Sequence, residues 1–87
     1  MTDIDALEIA RHWDAGESGC GALIMSLKLE IERIDAGGLL QVTARDAAAF
    51  IDLPAWCDMT GHSLVAEQHP TYVLKKRMTT QTQEQSY

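Results

Sequence analysis

Hydrophobic spacing changes across one glycine-rich turn, and that change limits the folds open to this chain. Before the turn, Leu7, Ile9 and Trp13 share one parity while Glu8, Ala10 and His12 share the other. This is the period of a strand near 7–13, with Arg11 interrupting its apolar side. After the turn, Leu23, Leu27, Ile31 and Ile34 recur every three or four residues, with Ile24 beside them. This is the core-facing stripe of a helix over about 20–34. The turn itself, at 15–19, is small and polar, and the thiol of Cys20 stands where the helix begins.

The same switch recurs downstream. Gly37-Gly38 stops the first helix by permitting a left-handed cap. Leu40, Val42 and Ala44 alternate with Gln41, Thr43 and Arg45 in a second strand. Asp46 is placed to cap a second helix that starts at Ala47 to Phe50. Pro54 either begins a new turn or kinks the helix, which resumes over 54–59 and closes at Gly61. Leu64 and Ala66 lie in a third strand, Gln68-His69-Pro70 turns the chain, and Thr71 to Lys76 form a fourth. Residues 78–87, mostly Thr, Gln and Ser, read as a disordered polar tail after one domain over 1–77.

The expected order is βαβαββ. Two strands joined through a helix pair in parallel with a right-handed crossover, and the last two form a hairpin. Alternating strands, unlike solid apolar runs, imply a sheet covered on one face. The fold class is therefore α/β (α+β): a two-layer sandwich of a four-stranded mixed sheet with both helices on one face.

Bulk properties remove some functions. The 87 residues carry 13 acidic and 7 basic side chains, a formal net charge of −6. Grip on a nucleic-acid backbone relies on clustered Lys and Arg, so nucleic acid is not an expected partner. Lys75-Lys76-Arg77 is read as the blunting charge of a terminal strand. Met1 to Asp5 is acidic and lacks an apolar run, so no secretory signal is expected. No stretch approaches the roughly 20 apolar residues of a membrane span. The expected location is the cytoplasm, where the two cysteines are free thiols.

Cys20 is the candidate reactive residue. Amides at a helix start lack intrahelical partners and carry partial positive charge. They stabilise an anion by roughly 0.3–2 kcal/mol, enough to lower a thiol pKa from ~8.5 by as much as about 1.5. Gly19 and Gly21 let a ligand approach the backbone closely. With Ala22 and Leu23 they are the expected anion-stabilising positions, and Asp14 is the expected cap of the turn. A strand end leading into a helix is also where α/β sheets place ligands.

Several motifs taken in order resemble the TusA-like (SirA-like) sulfur-carrier family, from about Leu7 to Arg77. They are Asp14-Ala15 six and five residues before Cys20, the helix from Leu23-Ile24-Met25 to Ile31, and Gly37 before the second strand. Asp46-Ala47, Asp52-Leu53-Pro54-Ala55-Trp56-Cys57 and Gly61-His62-Ser63-Leu64 follow. The resemblance implies a sulfur carrier that accepts a persulfide sulfur on Cys20 and relays it between donor and acceptor proteins. That is a sulfurtransferase step, and it needs no cofactor. The family motif Cys-Pro-x-Pro reads Cys20-Gly21-Ala22-Leu23 here, so both prolines are missing. Proline preorganises a helix start but donates no N–H, so Gly21 and Leu23 restore two potential donors and loosen the turn. The alternative reading is an interaction or regulatory module that keeps the fold and has lost transfer.

Other candidates are weaker. Cys57 beside Trp56 is read as a packing residue, with a resolving-thiol role requiring Cα atoms within about 7 Å of Cys20. No paired ligand spacing such as C-x-x-C accompanies His12, Cys20, Cys57 and His62, so no metal is expected. His62 is expected to tie the second helix to the third strand by a hydrogen bond, and His69 to face solvent.

Overall fold

The computed structural model describes residues 7–16 and 19–78. The elements are β1 (Arg11–Gly16), α1 (Cys20–Ile31), β2 (Leu39–Ala44), α2 (Ala49–Thr60), β3 (Ser63–Gln68) and β4 (Thr71–Lys75). The order is the expected βαβαββ. The tail expected over 78–87 lies, apart from Met78, outside the described residues.

One mixed sheet carries the order β1-β2-β4-β3. β1 and β2 are parallel, whereas β4 is antiparallel to both β2 and β3. Register places Leu40 opposite Leu74, and Val42 opposite Tyr72. Those strand residues form one buried cluster with Leu23, Leu27 and Ile31 of α1 and with Ala49, Leu53, Trp56 and Cys57 of α2. Both helices therefore cover one face. Val73 alternates to the opposite face and is fully buried too. Among the described residues no charged side chain is wholly buried, and Tyr72 brings its hydroxyl into the core.

Several boundaries differ from the sequence reading, each for a local reason. β1 starts at Arg11 instead of near 7 and runs on to Gly16: Asp14 pairs with Thr43 and Gly16 with Ala44, the register shifting between them. Arg11 does not spoil the apolar side of β1. It sits opposite Leu40 on the helix-covered face, and its Nε donates to Glu30 Oε1 of α1 at 2.6 Å. α1 ends at Ile31 instead of Ile34. Arg33 and Ile34 donate three residues back, to Glu30 and Ile31, which tightens the last turn while Ile34 stays buried. Lys76 Nζ donates to Ile34 O at 2.8 Å, putting a cation at this carbonyl-rich end. Gly37 is not the helix cap. It lies in the following loop with φ 83°, donating to Lys76 O, and Met78 Sδ would stand 2.7 Å from an added Cβ.

α2 starts two residues later than expected and passes through Pro54 unbroken. An interior proline costs about 3 kcal/mol in an isolated helix. Here Leu53 on one side and Trp56 and Cys57 on the other are buried, so packing holds both halves in line. Gly61 closes α2 as expected, in the left-handed region at φ 87°, with its N–H on Cys57 O. β3 carries a bulge between Leu64 and Ala66, which interrupts its simple alternation. A two-residue turn at His69-Pro70 joins it to β4; His69 is exposed, as expected, and its Nδ1 contacts the Tyr72 hydroxyl.

His62 stacks on Trp56, with ring centroids 5.1 Å apart. Its Nδ1 accepts from Arg77 N–H, so it ties the end of α2 to the segment after β4, not to β3. Burial, aided by the Arg77 and Lys76 charges, pushes its pKa down to about 4.

Two outcomes follow from these contacts. Gly61→Ala meets only an ordinary contact with Arg77 Cδ at 3.7 Å, so its cost is conformational. It should destabilise the domain by about 1–2 kcal/mol, read as a lower midpoint in thermal melts. The unfolded chain binds His62's proton near pH 6.5 and the folded chain only near pH 4, so stability should fall as pH drops through that window. Denaturant midpoints between neutral pH and pH 5 should decline less in His62→Gln than in the parent.

Candidate functional site

Parallel pairing makes β1 and β2 end on the same side of the sheet, and each feeds a helix there. The candidate site is that edge, where two helix starts converge. Gly19 is the N-cap of α1, with extended backbone at φ −79° and no side-chain cap, and Cys20 is the first helical residue. The amides of Cys20, Gly21 and Ala22 open the helix and have no carbonyl four residues back within it. Leu23 N–H does: it donates to Gly19 O at 2.8 Å. The Leu23 side chain is buried in the core. Leu23 thus anchors the helix, and of the residues following Cys20, Gly21 and Ala22 supply the open donors. Both are exposed, and a Cβ on Gly21 would meet nothing within 4 Å.

Asp14 holds the end of β1 through two sets of contacts. Its Oδ1 accepts from Gly16 N–H at 2.7 Å. Its two oxygens also accept from Arg45 Nη1 and Nη2 at 2.8 and 3.1 Å, a two-pronged pair. Arg45, with help from Gly16 N–H, holds the Asp14 carboxyl below the usual carboxylate range. Arg45 N–H meanwhile donates to Gly16 O at 3.4 Å. The end of β1 is thus clamped to the segment leaving β2, immediately before the loop that leads to Cys20. Arg45 escaped the sequence reading because its partner lies 31 residues away. The available signal was the parallel β1–β2 pairing, which sets Asp14 and Arg45 at neighbouring strand ends.

Asp46 is the second residue whose reach was underestimated. Its Oδ1 accepts from Ala48 N–H at 3.0 Å, capping the turn into α2. Its Oδ2 faces α1, 3.6 Å from where a Cβ on Gly19 would stand.

Cys57 is separate from this edge. It lies eight residues past the start of α2, about 12 Å along the helix from the end that neighbours Gly19. Burial pushes its pKa up to about 11, which suits a packing residue. Among the described residues no three His, Cys, Asp or Glu side chains converge as metal ligands. An open groove of about 750 Å³ between Ile9, Leu39, Val65 and Lys75 sits at the opposite end of the sheet, away from both helix starts. No helix among the described residues is long and apolar enough to cross a membrane.

The family model Sulfurtransferase TusA matches residues 14–76, from the Asp14 clamp to the end of the sheet. The sulfur carrier protein TusA of Pseudomonas syringae pv. syringae (strain B728a) is 38% identical over 65 residues, covering 75% of this chain and 77% of that protein. Sulfur carrier protein TusA of Pseudomonas savastanoi pv. phaseolicola is 43% identical over 49 residues, 56% of this chain and 58% of its own. The protein of that name from Pseudomonas putida (strain W619) is 36% identical over 55 residues, 63% and 69% of the two chains. A family match that takes in all of the sheet but the first three residues of β1, with a relative aligned over three quarters of both lengths, agrees with the observed fold: this chain belongs to the TusA family.

Proposed function

We propose that the protein is a sulfur carrier of a cytoplasmic relay, with Cys20 as the residue that holds the sulfur. The observation that carries the reading is the position of Cys20 as the first residue of α1, beside a second helix start. The names of the relatives support the class of function, and favour transfer over the interaction-module alternative.

The chemistry needs no cofactor. Cys20 thiolate attacks the outer sulfur of a donor persulfide. A new S–S bond forms as the old one breaks, and the donor leaves as thiolate. Cys20 then carries Cys–S–SH. An acceptor thiolate attacks that outer sulfur in turn, and Cys20 leaves as thiolate. Negative charge develops on Cys20 at both ends of the cycle. The open amides of Gly21 and Ala22 and the partial charge of the helix start stabilise it. Donor and acceptor proteins must bring their own cysteines to this edge. Exposed Met25 on α1, with Phe50 and Ile51 in the first turn of α2, offers apolar surface for them near both helix starts.

Intact-protein mass spectrometry after incubation with a persulfide donor tests the reading. The parent and Cys57→Ser should gain one sulfur mass, and Cys20→Ser should not. Absence of an adduct on the parent, under conditions that load an established carrier, would overturn it. Gly21→Pro should fold, because the space beside Gly21 is open. It should change the rate of sulfur loading, because it removes one open donor. An unchanged rate would show that Gly21 does not tune the site.

A further inference from the structure

The charges at the mouth of α1 are not those of a bare helix start. Asp46 is held by the turn into α2 through Ala48 N–H, so its carboxylate does not swing freely. Its other oxygen is turned to Gly19, the N-cap of α1. One fixed anion therefore closes the turn before α2, whose N-cap is Ala48, and sits against the electropositive end of α1. The other charged groups at this edge are Asp14 and Arg45, from the ends of β1 and β2, which neutralise each other. Asp52 lies in the first turn of α2. The local balance is negative, although a helix start alone is positive.

We propose that Asp46 restrains the reactivity of Cys20: its carboxylate offsets part of the α1 field, keeps more of the thiol protonated, and slows its reaction with free electrophiles. The inference rests on Cys20 as the reacting thiol and adds how its ionisation is set. A carboxylate held against the residue that precedes a thiol opposes its ionisation, and near a protein surface such an effect reaches about one pKa unit. That is comparable to the favourable effect of a helix start, so the two nearly balance. Asp46 acts through Cys20 and touches no substrate; it is a positioning residue whose instrument is charge.

Asp46→Asn separates charge from capping, because Asn keeps the shape and the capping oxygen. The probe is iodoacetamide, with alkylation of Cys20 in the full chain followed by site-resolved mass spectrometry across the neutral and alkaline range. In Asp46→Asn the apparent thiol pKa should fall by about 0.5–1, and alkylation near neutral pH should rise about two- to threefold, the gain in thiolate being offset by its lower nucleophilicity. Asp46→Ala also loses the cap; it should melt lower yet show the same fall in pKa. Asp58→Asn, which neutralises an exposed carboxylate in the last turn of α2, should leave the profile near that of the parent. An unmoved pKa in Asp46→Asn would overturn the proposal, as would an equal fall in Asp58→Asn. Persulfide loading of the parent keeps the two readings apart. A parent that loads sulfur beside an unmoved pKa removes only the restraint. A moved pKa in a parent that never loads removes only the carrier function.

Discussion

Parallel pairing of β1 with β2 is the constraint from which the rest of the molecule follows. Parallel neighbours cannot be joined by a tight turn, so a crossover helix must lie between them. α1 fills that place and buries Leu23, Leu27 and Ile31 against Leu40, Val42 and Ala44. Because both strands end on the same side, α2 must start beside α1. The β3–β4 hairpin then completes the sheet by pairing β4 with β2. The meeting of two helix starts is thus a consequence of topology, not of any single motif.

That edge concentrates partial positive charge, and the side chains around it moderate the field. Arg45 is bound by Asp14, so the pair adds stiffness to the strand end without adding net charge. Asp46 takes up part of the field of both helices. The missing prolines of the family motif fit the same picture. Gly21 adds an amide donor at the mouth of α1, whereas the amide of Leu23 is spent inside the helix. Freedom at the turn is then limited by the clamp at Asp14 and by the core anchor at Leu23, instead of by proline.

The order of elements, the core stripe of α1, the Gly61 cap and the place of Cys20 were all legible in the sequence. They depend on spacing within a few residues, and local periodicity records that spacing. The end of α1 was misplaced because Ile34 keeps the apolar rhythm while its hydrogen bond shortens to three residues. Pro54 looked like a break because its local cost is visible and the burial of Leu53, Trp56 and Cys57 around it is not. His62 was recognised as a tie, but its partner is Arg77, which reaches it only through the return of β4.

The sequence by itself determined which segments are strands and helices, which faces they bury, and that a thiol opens the first helix. These are properties of neighbouring residues and of the solvent they avoid. Only the tertiary structure decided that Arg45 closes on Asp14, that Asp46 faces both helix starts, and that Cys57 is buried about two turns along α2 from its start. Those relations join residues far apart in the chain. They are set by strand register and helix packing, which bring distant charges within a few ångströms where electrostatic effects become large.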